Sequence, residues 1–216
     1  MLPIVSIVGH AQSGKTMLVE RLIGEFRERG YRVAVVKHTV KDFEMDSPGK
    51  DTWRYAEAGS DAVAISAPHR MALIKPQKNN DSIEGVLRLL GEDFDLVLVE
   101  GFHEAHVPKI EVHRSALKKG LRCSPEELKA IVTDETLEID RPQFSPEDIS
   151  GIADFIKERI IGKRGDETVL FINGSPVTLN HFAKQIIANA LLGMVSTLKG
   201  IPDVKSLEVA VRKQVT

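Results

Sequence analysis

Ile4-Val5-Ser6-Ile7-Val8-Gly9-His10-Ala11-Gln12-Ser13-Gly14-Lys15-Thr16 runs a β-branched apolar stretch directly into a full match to G-x-x-x-x-G-K-[ST]. The apolar run predicts a buried strand and the glycines a curled loop. Beyond them Leu18, Leu22, Ile23 and Phe26 recur at helical spacing among Glu20, Arg21, Arg27 and Glu28, which predicts a helix. A loop of this kind turns successive backbone N–H groups inward on a phosphate, and Gly9 and Gly14 permit the angles it needs. Gly9, His10, Ala11, Gln12, Ser13, Gly14, Lys15 and Thr16 are therefore the candidate phosphate cradle. Lys15 supplies a point charge for the β- and γ-phosphates and is a candidate catalytic group, while the Thr16 hydroxyl is a candidate Mg²⁺ ligand. An ordinary glycine-containing strand-to-helix turn is the alternative, and the combination of pattern and flanks argues against it.

The bulk composition narrows the field. At 216 residues the chain accommodates one sizeable α/β core with a small appendage. The 29 Lys and Arg against 31 Asp and Glu leave a formal charge of −2, so no polyanion-binding surface is indicated and no nucleic-acid partner is expected. The single cysteine, Cys123, excludes an intramolecular disulfide and zinc sites built from several thiolates of one chain. The apolar N-terminal stretch lacks a basic segment before it and runs into the phosphate loop, unlike a cleaved signal peptide. No uninterrupted apolar run approaches the length of a membrane span. A soluble, cytoplasmic protein without a membrane partner is the expectation.

Working outward from the loop, Val33-Ala34-Val35-Val36 marks a second strand within residues 31–37, and residues 61–67 and 71–74 mark two more around a turn at Pro68-His69-Arg70. A helix is expected over residues 82–90, with Ile83, Val86, Leu87 and Leu90 on one face. The strand Leu96-Val97-Leu98-Val99 then ends in Glu100-Gly101. Residues 109–114 and 129–133 complete the strands of this part, and residues 146–161 read as its closing helix. Continuous Val, Ile and Leu strands separated by helices predict an α/β fold with a mostly parallel sheet covered by helices on both faces. Composition changes at the charged joint Gly162-Lys163-Arg164-Gly165-Asp166. The domains expected are residues 1–164, binding the nucleotide, and residues 165–216, a small β-β-α-β unit. In that unit Asn173-Gly174 signals a tight turn, Asn180 can cap a helix, and Leu207, Val209 and Val211 alternate as a strand. Its expected role is packing, onto the main domain or onto another subunit as in a homodimer.

Ligands gather at the carboxyl ends of the strands of an open parallel sheet, and that rule sorts the candidates. Lys15 follows the first strand, His38 the second, and Glu100 closes the strand of residues 96–99. Asp95 begins that strand and so lies about 16 Å from Glu100, on the far side, at roughly 3.3 Å per residue. Glu100 occupies the place of an acid that holds Mg²⁺ beside Thr16 or orients an attacking water, which makes it both a catalytic and a metal candidate. Asp42 and Asp46, in the polar stretch after the second strand, are candidates to meet the metal, with a solvated loop the equal alternative. Asp51 reads as the N-cap of a helix over residues 52–58. His103 and His106 look like a metal pair only superficially, because a protein zinc site usually needs three ligands. Lys109 could present a cation to a phosphate, as could Arg114, and Asp134 could accept from guanine N1 and N2.

Taken in order, residues 9–16, Val36-Lys37-His38, Asp46-Ser47-Pro48-Gly49-Lys50-Asp51, Ala58-Gly59, Val97-Leu98-Val99-Glu100-Gly101-Phe102 and Pro108-Lys109-Ile110 resemble the molybdopterin-guanine dinucleotide biosynthesis protein B (MobB) family, over about residues 3–160. The resemblance implies a P-loop NTPase-type fold and a GTP-binding adapter that uses Mg²⁺ and hydrolyses GTP weakly. It also implies molybdopterin and the guanylyltransferase attaching GMP to it as partners. Two departures stand out. Many members carry a histidine pair shortly after the position of His38, where this chain has Val40-Lys41, and threonine often stands where this chain has Met17. No internal arginine or glutamine is evident as a transition-state stabiliser, so hydrolysis is expected to be slow unless a partner supplies one. A small-molecule kinase or ligase on the same scaffold, and a metallochaperone-like GTP-binding protein, are the competing readings; the single cysteine and the lack of a His-rich tract count against the second.

Overall fold

Apolar side chains at every strand position, rather than at alternate ones, call for burial of both sheet faces, and the chain supplies covers on each side. The computed structural model describes residues 2–39, 41, 43, 45–76, 83–91, 93–162, 168, 170–172, 175–177, 179–200, 204, 207 and 209–211. The chain divides into two compact units, Leu2–Gly162 and Lys163–Thr216. In the first, the elements are β1 (Ile4–Val8), α1 (Lys15–Glu28), β2 (Val33–Lys37), α2 (Asp51–Glu57), β3 (Val63–Ala67), β4 (Arg70–Ile74), α3 (Ile83–Leu90), β5 (Leu96–Glu100), β6 (Lys109–Val112), β7 (Leu128–Val132), β8 (Gln143–Phe144) and α4 (Ile149–Ile156). Six strands form one sheet in the order β2-β5-β1-β6-β7-β8, with every neighbouring pair parallel. β3 and β4 form a separate antiparallel hairpin.

The two sheet faces are covered differently. On one, Val5, Ile7, Leu96, Leu98, Ile110, Val112, Ala130 and Val132 pack against Leu18, Leu22 and Phe26 of α1 and Ile152, Ala153 and Ile156 of α4. Arg29 ties these helices together, its guanidinium bonded to Glu25 beside it and to Asp154 and the Ser150 hydroxyl across the gap. On the other face, Ile83 and Leu87 of α3 cover Ile4, Ala34, Val36, Val97 and Val99. No helix of the described residues covers the rest of that face at β6. There Ser6, Lys109, Glu111 and His113 are buried polar groups, satisfied by loops. Ser6 donates to the Gly101 carbonyl, Glu111 accepts the Arg122 and Cys123 N–H groups at 2.6 and 3.0 Å, and His113 meets Glu135 at 2.7 Å. These polar contacts hold the loops after β5 and β6 against the centre of the sheet, in line with the rule that buried polar groups find partners.

Three local expectations are corrected. The helix near residue 51 begins one residue early, so Lys50 is its N-cap and Asp51, inside the first turn, instead faces Arg54 at 3.9 Å. The helix expected from residue 146 starts at Ile149 because the Asp148 side chain caps it, accepting from the Gly151 N–H at 3.0 Å; residues Lys157–Ile161 continue it with π-helical bonding. Pairing at the hairpin leaves only Pro68-His69 as its turn.

In the second unit, β9 (Leu170–Ile172) and β10 (Ser175–Val177) pair antiparallel, and α5 (His181–Ser196) follows with Asn180 as its N-cap, accepting from the Ala183 N–H at 2.8 Å. The Asn173-Gly174 turn lies outside the described residues. Leu207, Val209 and Val211 carry no strand, and the remainder of that segment also lies outside the described residues. Among the described residues no helix is long and apolar enough to cross a membrane.

Candidate functional site

β1 is the central strand of the site, with β5 on one side and β6 on the other. The loop leaves it at Gly9, whose φ of +138° is closed to other residues, and a Cβ there would stand 2.5 Å from the Val112 carbonyl oxygen and 2.9 Å from Ser13 Oγ. Close approach to β6 thus requires glycine at this point. The loop ends at Gly14, the N-cap of α1, which offers no side-chain cap; the first turn of α1 contains no acidic residue either. Open N–H groups and the positive end of a 14-residue helix dipole therefore face the loop. The Ser13 hydroxyl is buried without a partner. Lys15 folds back onto the loop, its Nζ donating to the Gly9 and His10 carbonyls at 3.1 and 2.6 Å. Burial lowers its ammonium below the ordinary 10.5; Glu100 opposes that shift, and Arg122 and Lys37 add to it.

Glu100 arrives from the neighbouring strand. In register Ile7 of β1 and Lys37 of β2 both lie opposite it. Thr16 Oγ1 donates to Glu100 Oε2 at 3.1 Å, and Lys37 Nζ lies 3.7 Å from Oε1. Asp95, at the opposite end of this strand, binds the Arg32 backbone N–H at 2.9 Å and its guanidinium at 3.2 Å, which places it away from the crevice. His38 donates its backbone N–H to the Glu100 carbonyl at 2.8 Å, and its ring lies 4.0 Å from that of Phe102. His38 in turn packs on Gly101, where an added Cβ would meet the His38 carbonyl oxygen at 3.0 Å. A pocket of about 270 Å³ opens beside this corner, lined by His38, Thr39, Lys41, Gly101, His103 and Arg122.

On the β6 side, His10 Nε2 is 3.0 Å from the Gly120 carbonyl, so the loop after β6 reaches over the phosphate loop. Arg114 Nε donates to the Ser13 carbonyl at 3.3 Å. Asp134, past the end of β7, accepts the Ser115 N–H at 2.8 Å and lies 3.8 Å from Arg114; the Ser115 contact is the main cause of its lowered carboxyl pKa.

The structure brings Lys15, Thr16, Glu100 and His38 to one crevice and sets Asp134 and Arg114 at its other edge. Lys109 is different. It is the first residue of β6, opposite Ser6 in mid-β1, only 3 % exposed, and its ammonium is bound to Glu127 at 2.9 Å. It is a partnered core cation, not one presented to a phosphate. Asp46 Oδ1 accepts the Ser47 N–H at 2.8 Å and its Oδ2 is buried without a partner; no hydrogen bond joins it to Thr16 or Glu100. Among the described residues no three His, Cys, Asp or Glu side chains gather as a metal site, so His103 and His106 form no metal centre there. Asp42 lies outside the described residues.

Sequence reading did not find Arg122. It follows Lys118-Lys119-Gly120-Leu121, a stretch whose ordinary meaning is a solvated surface. The available signal was Glu111, an acid in an otherwise buried strand that had to find donors; it found them on Arg122 and Cys123. Arg114, a candidate phosphate cation from sequence, comes to the loop, and Arg122 comes to the pocket beside it.

An unpaired Ser13 hydroxyl, a cradle at Gly9 that a side chain would fill, an uncapped helix terminus and a hydroxyl–carboxylate pair together fit a polyphosphate with a divalent cation. The family model described as molybdopterin guanine dinucleotide synthesis protein B matches residues 4–134. The chain belongs to the MobB family. A MobB relative from Haemophilus influenzae, named a molybdopterin-guanine dinucleotide biosynthesis adapter protein, is 39 % identical over 157 residues, covering 72 % of this chain and 88 % of its own length. The adapter protein of the same name from Escherichia coli K12 is 30 % identical over 167 residues, with 73 % and 93 % covered. Among solved MobB structures, one of molybdopterin-guanine biosynthesis protein B aligns with a TM-score of 0.56 at 32 % identity, covering 71 % of this chain and 96 % of that one. Bacillus subtilis MobB aligns with a TM-score of 0.60 at 26 % identity, covering 74 % and 98 %. The α/β fold with its P-loop and the parallel sheet is thus the MobB fold.

Proposed function

We propose that, in the adapter role of its family in molybdopterin-guanine dinucleotide biosynthesis, this chain binds GTP at residues 9–16 with Mg²⁺ beside Thr16 and Glu100, and hydrolyses it slowly. The contact between Thr16 Oγ1 and Glu100 Oε2 carries the reading, because it joins the loop's metal-ligating hydroxyl to a strand-end carboxylate. Mg²⁺ bound there would neutralise charge developing on the β- and γ-phosphate oxygens.

The protein's own groups have separable tasks. The loop N–H groups and the α1 terminus orient the phosphates, and the Ser13 hydroxyl gains the partner it lacks. Lys15 exchanges the Gly9 and His10 carbonyls for phosphate oxygens. Glu100 accepts a proton or a hydrogen bond from the attacking water, and His38 fixes the backbone beside it. Asp46, with one unpartnered oxygen, is a further candidate for a metal-bound water, and Asp134 for the guanine edge.

The partner in this proposal is the guanylyltransferase that attaches GMP to molybdopterin. Phosphate release from Mg·GTP, measured with and without that enzyme, tests it. Complex formation with a faster release is expected; no complex and no change in rate would contradict the proposal.

A further inference from the structure

We propose that the pocket bounded by His38, Lys41, His103 and Arg122 is a second anion site, which takes the phosphate group of a small organic phosphomonoester while the loop holds the nucleotide. It deepens the proposed function and rests on the loop of residues 9–16 being the nucleotide site.

The lining is one-sided in charge. Two cations and two imidazoles line it, with Thr39 and Gly101, and among the described residues no carboxylate does. Neither the Lys41 ammonium nor the Arg122 guanidinium has a hydrogen bond or ion pair among the described residues, whereas Arg29 and Arg32 are fully engaged. His103 Nδ1 is buried without a partner. Burial, with Arg122, Lys15, Lys109 and His38 adding to it, lowers the His103 pKa below 6.5. Uncompensated positive charge of this kind is relieved by an incoming anion. A guanidinium fork, an ammonium and imidazole nitrogens together match the three oxygens of a phosphate better than the two of a carboxylate.

The walls are also held in place. Glu111, 1 % exposed, fixes Arg122 through its backbone N–H. His38 is fixed by Glu100 and Phe102, and Gly101 by Ser6. At about 270 Å³ the space falls just below ordinary small-molecule sites, enough for a phosphate and part of a ring. It lies beyond the carboxyl end of β5, one residue from Glu100, where a second ligand would face the nucleotide.

The test uses the full chain saturated with a non-hydrolysable GTP analogue and Mg²⁺, titrated with inorganic phosphate and with phenyl phosphate. Saturable binding is expected, weakened about tenfold or more in Arg122→Ala and in His103→Ala, with the affinity for the GTP analogue retained. Arg122→Ala removes no side-chain bond among the described residues, and an unchanged thermal unfolding midpoint is expected to confirm that it folds. Absence of saturable binding, or binding unchanged in both variants, overturns the proposal. So does an Arg122→Ala variant that loses affinity for the GTP analogue but not for GDP, since the pocket would then be the γ-phosphate seat. Failure of the loop reading appears separately, as nucleotide affinity insensitive to Lys15→Ala in the absence of phosphate.

Discussion

The Thr16 hydroxyl, in the first turn of α1, donates at 3.1 Å to the carboxylate of Glu100, the last residue of β5, across 84 residues of sequence. β5 lies directly against β1, so the acid that ends one strand stands over the helix that starts after the other. The second Glu100 oxygen faces Lys37 from β2 at 3.7 Å, so the carboxylate is held between the two neighbouring elements.

Glu100→Gln keeps the size and one acceptor oxygen but removes the charge. It is expected to leave Mg²⁺-free nucleotide affinity largely intact and to lower Mg²⁺-dependent GTP turnover by about a hundredfold. Single-turnover phosphate release checks this. Undiminished release would remove Glu100 from the chemistry.

Lys15 gives a pH dependence. Burial is the main cause of its lowered pKa, while the unfolded chain keeps the value of 10.5. Between the two values the unfolded chain binds more protons, so this group makes stability rise with pH across that window and contributes a cost below it. Phosphate binding favours the ammonium. Mg·GTP affinity is therefore expected to fall as pH rises through the lowered Lys15 value, with Lys15→Arg showing no such fall if it still binds. Titrations at stepped alkaline pH decide it, and a flat wild-type profile would contradict the prediction.

Gly9→Ala places a methyl group at φ +138° and 2.5 Å from the Val112 carbonyl oxygen. A loss of at least about 2 kcal/mol of folding stability is expected from the strain. Denaturant unfolding measures it; an unchanged midpoint would mean that the loop does not pass so close to β6.

Lys109→Met tests the reassignment of a residue that sequence alone offers as a phosphate cation. Its ammonium is bonded to Glu127, so nucleotide affinity should be unchanged, and because Glu127 is about half exposed and is not left as a buried unpaired charge, an apolar replacement of similar length should cost little stability. A large drop in GTP affinity would return Lys109 to the site.

The parts of the site that sequence reveals are those set by local rules. The strand, loop and helix of residues 4–28 are contiguous, and the loop pattern names its own residues. Strand-end reasoning then separates Glu100 from Asp95 because one rise per residue fixes their distance, and Asp95 duly pairs with Arg32 at the far end. Applied to Lys109, which opens its strand, the same rule keeps it away from the crevice; only its charge suggests a phosphate ligand. Arg122 is invisible for a different reason. Its position depends on Glu111, eleven residues earlier, taking two backbone N–H groups, and that pairing follows from the burial of β6 on the part of one face that no helix of the described residues covers. Helix ends shift for similarly local causes, such as the Asp148 cap that delays α4.

The central claim is that residues 9–16 seat GTP through Lys15. Calorimetric titration of Mg·GTP and Mg·ATP into the wild-type chain and into Lys15→Ala tests it most directly. Saturable binding that favours GTP and is abolished in Lys15→Ala is expected; equal binding by the variant, or tighter binding of ATP than of GTP, would contradict it.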